Sequence, residues 1–175
     1  IVGTGADGSR TLIAEGKAAI EKAVVIIGAK RMVEDYRFCG KPVLEEYRSA
    51  EIARYLEENS FSTAAVLMSG DCGFFSGATQ LAEALADHDV EFICGIASPV
   101  YLFSKLKMDW SDCNFVSLHG KSGSIVRAVR AHRLTFFLLG GDIMAAEVCR
   151  RLCDYGMGGV MVHIGERLGY ADERI

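Results

Sequence analysis

Short apolar runs alternate with amphipathic segments along almost the whole chain, and this alternation limits the fold more than any other feature. Six runs rich in β-branched, aromatic or other apolar residues are predicted as strands, at 23–27, 63–68, 90–94, 114–118, 134–139 and 159–164. Five segments with helical spacing are predicted as helices, at 9–22, 47–59, 74–86, 98–106 and 143–154. Because nearly unbroken apolar strands are typical of sheets covered on both faces, the sequence predicts an α/β protein with mainly parallel sheets.

A polar break near the middle of the chain divides these elements into two groups. The stretch "KLKMDWSDCNF", at 105–115, is the most polar segment between predicted strands. We therefore predict two lobes, an N-terminal α/β lobe of residues 1–106 and a C-terminal α/β lobe of residues 107–175.

Composition and charge exclude two classes of partner. Half of the 175 residues are apolar, and the formal net charge is −4. No basic tract and no interleaving of aromatic residues with arginine is present, so we expect no nucleic-acid partner. The apolar runs are far shorter than the roughly 18 residues that span a bilayer, so we expect no membrane partner.

Six cysteines are compatible with a disulfide framework, a zinc site or free thiols. They lie mostly inside apolar runs and show no CxxC spacing. Free and mostly buried thiols in a reducing compartment fit this placement better than disulfides or zinc. We therefore expect a cytoplasmic protein that holds no metal.

Glycine- or serine-bearing turns close several of the predicted strands. Three are in the first lobe, at 3–8, 69–73 and 95–98, and a fourth, "LGGD", is at 139–142 in the second. The carboxyl ends of parallel strands share one edge of a sheet, so we expect the first three turns to converge on one crevice. The fourth turn suggests a ligand between the lobes.

The first of these turns, "GTGADG", matches the GxGxxG pattern of dinucleotide-binding proteins. That interpretation requires a carboxylate at the end of the next strand, where it would bind a ribose. The next strand is followed by Gly28, Ala29 and Lys30 instead. We therefore expect a glycine turn that lines another kind of cleft, and no binding of NAD.

Asp71, in the turn "SGDCGF", has two interpretations. Aspartate in a glycine turn often only caps backbone amides, whereas its position at a strand end slightly favours contact with a ligand. We expect the following helix to begin near Phe74 and to direct free N–H groups toward the crevice. No nucleophile–base pair accompanies the turns, and His119, after a predicted strand, is of a kind more often structural than catalytic. The pattern therefore points to chemistry carried by a cofactor.

Four longer stretches occur in a fixed order: "VGTGADGSRTLIAEGKAAIEKAVVIIGAKRMVE", "LMSGDCGFFSGATQLAEAL", "CGIASPVYLFSKLKMDWSDCNFVSLHG" and "IGERLGYADERI". Together they resemble the precorrin methyltransferases of the tetrapyrrole methylase family, in particular the members that methylate C5 of precorrin-7 or cobalt-precorrin-7. The resemblance implies a two-lobed α/β fold with a ligand cleft between the lobes, S-adenosyl-L-methionine as cofactor, a tetrapyrrole substrate and a homodimer. It also implies a decarboxylating C15-methyltransferase partner, fused or separate, and a further strand beyond "DERI".

The resemblance also implies roles for individual residues. Contacts to the methyl donor fall on Ser69, Gly70, Asp71, Phe74, Ala97, Ser98 and Leu139. Contacts to the tetrapyrrole fall on Gly3, Gly5, Asp7 and His119. The chain departs from the family pattern at Cys72, where proline or threonine is common, at Cys94, where proline is common, and at Ala97, where serine is common.

A tetrapyrrole that carries acetate and propionate groups requires local cations in a chain of net negative charge. Lys30 and Arg31 follow one strand, and Lys121, Arg127 and Arg130 follow "SLHG". For each of these five, a solvated helix face is an equally good interpretation. Two alternatives to a corrin-pathway enzyme also stay open: a tetrapyrrole-methylase-fold enzyme with another substrate, and a non-catalytic module for S-adenosylmethionine binding or dimerisation.

Overall fold

A four-stranded parallel sheet organises the first part of the chain. The computed structural model describes residues 1–6, 10–119, 124–140 and 144–175. The strands are β1 (Val2–Gly3), β2 (Val25–Gly28), β3 (Val43–Glu45) and β4 (Ala64–Met68). They lie in the order β1-β4-β2-β3, and every neighbouring pair is parallel. Their carboxyl ends therefore share one edge.

Helices cover both faces of this sheet. They are α1 (Ala14–Lys22), α2 (Lys30–Val33), α3 (Ser49–Asn59) and α4 (Ala78–Ala84). Ile26 of β2 packs with Ile20 of α1, whereas its neighbour Ile27 packs with Ile52 of α3 and Leu81 of α4. Successive side chains of a strand point to opposite faces, and both faces of β2 are buried. This explains why the strand reads as an unbroken apolar run.

A second, smaller sheet lies further along the chain. After α5 (Ser98–Leu106), the strands β5 (Asn114–Ser117) and β6 (Thr135–Leu138) pair in parallel. The helices α6 (Ile125–Ala131) and α7 (Ala145–Asp154) follow these strands. Leu118, Ile125, Val148 and Leu152 form the core of this region.

The described elements form two compact units. The first consists of Ile1–Tyr101 with Leu168–Asp172, and the second of Leu102–Arg167 with Glu173–Ile175. The predicted class, α/β with mainly parallel sheets, is confirmed. The predicted lobe boundary between residues 106 and 107 stays a prediction.

Two of the six predicted strands are wrong. In the segment 90–94 only Ile93 forms a bridge, to Val2 of β1. Glu91 and Phe92 are exposed, so the segment lacks the buried faces of a central strand. The segment 159–164 is also not a strand, and its side chains Val160, Met161, Val162 and Ile164 are exposed. A strand needs a neighbour to accept and donate its backbone hydrogen bonds, and the structure pairs this segment with none in the described ranges.

Two helices begin at least four residues later than the sequence predicts. α1 begins at Ala14 rather than at residue 9, and α4 begins at Ala78 rather than at Phe74. Phe75 has a φ of +47°, which a helix cannot contain, and the Ser76 hydroxyl accepts a hydrogen bond from the Ala78 N–H at 3.2 Å. The predicted start of the last helix, residue 143, lies outside the described residues, as does residue 9.

Several short elements were not predicted. They are β1, β3, α2, α6 and a 3₁₀ turn at Glu34–Tyr36. Each has seven residues or fewer, too few for a periodic apolar pattern to stand out. Among the helices of the described segments, none combines the length and the apolar character needed to cross a membrane.

All six cysteines are free, as the sequence predicts, but the expectation that most are buried is wrong. Only Cys72 is buried, Cys113 and Cys149 are half-buried, and the others are exposed. The Cys72 thiol donates to the Ile93 carbonyl oxygen at 3.3 Å. Burial raises the pKa of the thiols of Cys72 and Cys113 above the ordinary value.

This arrangement predicts the order in which the thiols react. Because the thiolate is the reactive form, Cys39, Cys94 and Cys153 should react first with an aromatic disulfide reagent, and Cys72 should react last. Denatured and unreduced protein should yield all six. A Cys94→Ser variant should lose one equivalent from the fast phase, whereas Cys72→Ser should leave the fast phase unchanged. Fewer than six thiols after denaturation would contradict the free-thiol assignment.

Candidate functional site

The first two glycine-bearing loops run side by side at the carboxyl edge of the four-stranded sheet. The Thr4 N–H donates to the Met68 carbonyl oxygen at 2.8 Å. Gly5 and Gly70 exchange two backbone hydrogen bonds, each 3.0 Å long. Thr4 is buried, and its hydroxyl donates to the same Met68 oxygen at 3.0 Å. These bonds hold the loop after β1 against the loop after β4.

The loop at 95–98 closes on the other two at their glycines. A β-carbon built on Gly3 would lie 2.7 Å from the Gly70 oxygen and 2.7 Å from the Gly95 nitrogen. One built on Gly95 would lie 2.1 Å from the Gly70 oxygen. Only residues without a side chain allow the three backbones to approach this closely. The predicted convergence of the three loops is therefore confirmed, and we call them together the loop cluster (3–6, 69–74 and 95–98).

Asp71 joins two of these loops through its carboxylate. Its Oδ1 accepts a hydrogen bond from the Gly73 N–H at 2.8 Å, and its Oδ2 accepts one from the Gly95 N–H at 3.0 Å. The turn-forming interpretation of Asp71 accounts for both bonds. The expectation that the next helix begins near Phe74 is wrong, because α4 begins only at Ala78. The N–H groups that Asp71 binds belong to Gly73 and Gly95 and not to the start of a helix.

Two aromatic rings follow Asp71 at the loop cluster. The rings of Phe74 and Phe75 meet edge to face, with centroids 4.7 Å apart and planes at 62°. Phe75 is 46% exposed and adopts a φ of +47°, a conformation that a bulky residue rarely takes. Such strain costs on the order of 1–3 kcal/mol and is commonly found at ligand-binding sites. The loop therefore holds aromatic surface toward solvent at an energetic cost.

The remaining residues assigned to the donor lie in both units. In the first unit, Ser69 is exposed, Ala97 is buried, and Ser98 is half-buried at the first position of α5. Gly70 has a φ of +70°, and a β-carbon there would lie 3.9 Å from the Ala97 Cα. Leu139 belongs to the second unit, where it packs against the core of that unit.

Residues assigned to the substrate are similarly divided. Gly3 and Gly5 lie in the loop cluster, while Asp7 lies outside the described residues. His119 belongs to the second unit, where it is exposed after β5. A β-carbon on Gly140 would lie 1.9 Å from the His119 Nδ1, so the imidazole rests directly on the backbone after β6. A side chain at position 140 would therefore displace the imidazole.

Lys30 and Arg31 bring positive charge to the edge that carries the loop cluster. Both are exposed in α2, directly after β2, whose last residue Gly28 is in register with Leu67 of β4. The Arg31 Nη1 donates to the Tyr170 hydroxyl at 3.1 Å. This contact places Tyr170, the first residue of the motif "YADERI", next to the edge.

A carboxylate follows β3 at the same edge. Hydrogen bonds from Arg48 hold the pKa of Glu46 well below its ordinary value, at about 2. Glu46 is therefore ionised and already paired with a guanidinium, with one N–O distance of 2.7 Å. Together with the internal bonds of Asp71, this pairing leaves Lys30 and Arg31 as cations with no carboxylate partner among the described residues.

Four residues that shape the loop cluster or its edge were not singled out by sequence reasoning. They are Thr4, Thr11, Gly95 and Tyr170. Thr4 and Gly95 stand inside loops that were noticed, but their contacts depend on the neighbouring loop. Thr11 lies against Gly5, where a β-carbon would be 2.3 Å from the Thr11 hydroxyl oxygen. Tyr170 lies in the motif "YADERI", which was noticed, but nothing in the sequence indicated that it contacts Arg31.

The loop cluster offers backbone N–H and C=O groups, small residues, aromatic surface and adjacent cations. In the described part of the site no serine or cysteine is hydrogen-bonded to a histidine, as a nucleophile–base pair requires. Such a site can hold and orient a small molecule that brings its own reactive group.

Comparisons with known proteins agree with this geometry. The model of the family "Tetrapyrrole (Corrin/Porphyrin) Methylases" matches residues 1–175. Cobalt-precorrin-7 C(5)-methyltransferase from Salmonella typhimurium is 26% identical over 176 residues, covering 100% of this chain and 87% of that protein. The precorrin-6Y methylase structure from Archaeoglobus fulgidus is 23% identical with a TM-score of 0.60, covering 81% of this chain and 73% of the other.

A third relative was solved with a ligand. Uroporphyrin-III C-methyltransferase from Thermus thermophilus, complexed with S-adenosyl homocysteine, is 20% identical with a TM-score of 0.66, covering 99% of this chain and 84% of the other. These two structural matches show the fold. The family match confirms the predicted class of enzyme, a methyltransferase whose cofactor is S-adenosylmethionine. The chain belongs to the tetrapyrrole methylases.

Proposed function

We propose that the protein methylates C5 of a corrin-ring precursor, precorrin-7 or cobalt-precorrin-7, in cobalamin biosynthesis. The observation that supports this most is the convergence of the three loops on one edge of the sheet, where a family member would bind its donor. The relative from Salmonella typhimurium, which matches the whole chain, supports the choice of substrate.

The loop cluster fits S-adenosylmethionine. When bound, this cofactor supplies a methyl group on a positively charged sulfur, which is already activated for transfer. We assign polar contacts with the donor to Ser69 and Gly70, and an aromatic contact to Phe74. Ala97 and Ser98 are the proposed contacts from the third loop. Leu139 is the proposed contact from the second unit. Holding the methyl group in line with its acceptor carbon can lower the activation barrier of the transfer by on the order of 7–11 kcal/mol. No catalytic acid or base is needed for this effect.

We assign Asp71 an indirect part in this binding. Both of its carboxylate oxygens accept backbone hydrogen bonds, so it orders the loops that contact the donor. In this proposal Asp71 makes no direct contact with the donor. Its carboxylate holds the loops in place, so donor binding depends on the shape of the loop cluster.

The substrate is assigned to the same edge. Gly3, Gly5 and Asp7 supply the first loop, and Lys30 and Arg31 face the acetate and propionate groups of the ring. His119 is the proposed contact from the second unit. Tyr170 supports the Arg31 guanidinium, and an arginine held by a hydrogen bond loses less side-chain entropy when it pairs with a carboxylate.

The assembly and location are proposed on family resemblance and on the thiols. We infer a homodimer that works with a C15-methylating, decarboxylating enzyme, fused or separate. Six free cysteines support a reducing compartment such as the cytoplasm.

Mass spectrometry tests the proposed reaction. Purified protein with S-adenosylmethionine should raise the mass of precorrin-7 or its cobalt form by one methylene unit. It should release one equivalent of S-adenosylhomocysteine at the same time. A corrin precursor that already carries the C5 methyl group should gain no mass. Donor binding without transfer to either substrate would contradict the proposal and favour a non-catalytic module, whereas transfer only to another tetrapyrrole would favour a different substrate.

A further inference from the structure

A pocket of about 540 Å³ lies between α6 and α7 in the second unit. Three arginines line it, Arg127 and Arg130 from α6 and Arg151 from α7. Tyr155 and Val126 also line it, and no acidic residue of the described chain does. This volume is typical of pockets that bind small organic ligands.

The two arginines of α6 are not neutralised by carboxylates. They are three positions apart, so both side chains leave the same face of the helix. The Arg130 guanidinium donates to the Tyr155 carbonyl oxygen at 3.3 Å, an uncharged acceptor. Arg127 pairs with no carboxylate in the part of the chain that the structure describes.

The third arginine is paired with a carboxylate. The Arg151 Nε donates to Glu147 Oε1 at 2.6 Å. Glu147 also binds Arg150, and hydrogen bonds from the two guanidinium groups hold its pKa at about 2. Arg150 also pairs with Asp154 at 2.6 Å, so Glu147 and Asp154 together balance the charges of Arg150 and Arg151. The uncompensated positive charge of the pocket therefore comes from Arg127 and Arg130, and Arg151 adds a guanidinium as a hydrogen-bond donor.

Other arginines of the chain are paired differently. Arginines of the described chain that pair with a carboxylate outside this pocket include Arg37, Arg48, Arg54 and Arg174. The chain as a whole carries a net charge of −4. Arg127 and Arg130, which pair with no carboxylate of the described chain, therefore differ from these four arginines.

We propose that this pocket binds an organic anion that carries at least two carboxylate or phosphate groups. Guanidinium groups bind both kinds of group in a two-pronged geometry, and the three arginines approach from two helices. Val126 and Tyr155 provide contact for an apolar or aromatic body. The pocket contains none of the residues proposed to contact the methyl donor, and the inference rests on the pocket and not on the proposed reaction.

Calorimetric titration with benzene-1,3,5-tricarboxylate tests the proposal on the whole chain. The wild type should bind this probe, and added salt should weaken binding because the contacts are ionic. Arg127→Gln with Arg130→Gln should weaken binding by about tenfold or more. Changing both arginines to lysine should lower the affinity less, because the positive charges remain and only the two-pronged hydrogen bonding of the guanidinium groups is lost. Arg54→Gln removes an exposed, ion-paired arginine of α3 and should leave affinity unchanged.

Competition identifies the kind of anion. Displacement of the probe by uroporphyrin would assign the pocket to tetrapyrrole carboxylates, and displacement by adenosine triphosphate would assign it to phosphates. The Arg127 side chain is exposed and pairs with no carboxylate of the described residues, so the single variant Arg127→Gln should keep the melting temperature of the wild type while it loses affinity. Wild-type affinity in the double variant, or no binding of any of the three anions, would overturn the proposal. Methyl transfer to precorrin-7 is measured in a separate experiment. Failure of that reaction would leave the binding of an anion in this pocket unaffected.

Discussion

Replacing Gly95 with alanine should abolish donor binding at concentrations that saturate the wild type. The added β-carbon would lie 2.1 Å from the Gly70 oxygen and 2.7 Å from the Gly3 carbonyl. Both contacts are with backbone, which cannot rotate away as a flexible side chain does. The loops must therefore separate, at a cost of about 3 kcal/mol or more in the free energy of unfolding. Affinity for S-adenosylhomocysteine, measured by calorimetry, should fall by about 100-fold or more.

Gly77 provides a matched control for this experiment. A β-carbon there would have no heavy atom within 4 Å, and the residue has an ordinary φ of −83°. Gly77→Ala should leave donor affinity unchanged and should change stability little, because the fewer unfolded conformations of alanine offset the loss of glycine at the N-cap of α4. If Gly95→Ala matched Gly77→Ala in both stability and affinity, the three loops would not be packed as described.

The large elements of the fold were predictable because burial on both faces leaves an unbroken apolar run. β2 and β4 were found for this reason, and α5 was predicted at its observed bounds, Ser98–Leu106. Short elements were not predictable, because β1 has two residues and β3 has three. Their presence is set by neighbours: β1 exists because β4 accepts it as a partner.

The start of α4 shows where a periodic pattern misleads. Phe74 continues the apolar spacing of Ala78, Leu81 and Leu85, so the pattern extends one turn too far. The helical residues Ala78 and Leu81 are buried, whereas the ring of Phe74 packs on Phe75 before the helix begins. Periodicity shows which side chains are apolar, but the left-handed φ of Phe75 ends the regular backbone.

The position of the candidate site was predictable from a topological rule, but its internal bonds were not. Loops after parallel strands share an edge whatever their sequences, so the meeting of the loops after β1 and β4 follows from strand order. The third loop joins them through the parallel bridge between Ile93 and Val2. The pairing of Asp71 with the Gly95 N–H joins residues 24 positions apart, and no local pattern encodes it. The family resemblance implied that Asp71 contacts the methyl donor. In the structure its carboxylate instead accepts hydrogen bonds from the Gly73 and Gly95 N–H groups.

Replacing Asp71 with alanine should weaken donor binding by about 10- to 100-fold through the loss of its two backbone hydrogen bonds. Each bond to a charged acceptor contributes roughly 1.5–3 kcal/mol when made, and less where the group is partly exposed. Asp71→Asn should resemble alanine more than wild type. Its amide can accept from one of the two N–H groups, but its NH₂ then faces the other, donor against donor.

Two comparisons separate this support role from direct contact. If Asp71 acts by ordering the loops, its removal should lower the affinities for S-adenosylhomocysteine and for 5′-methylthioadenosine by the same factor. The second compound lacks the amino-acid part of the first. A direct contact to the amino-acid part would instead weaken only S-adenosylhomocysteine. Asp109→Ala is the matched control, because Asp109 also accepts from a backbone N–H, that of Ser111 at 3.0 Å, but joins no second loop. Its donor affinity should equal that of the wild type. Wild-type affinity in Asp71→Ala would show that the carboxylate neither orders the loop cluster nor contacts the donor.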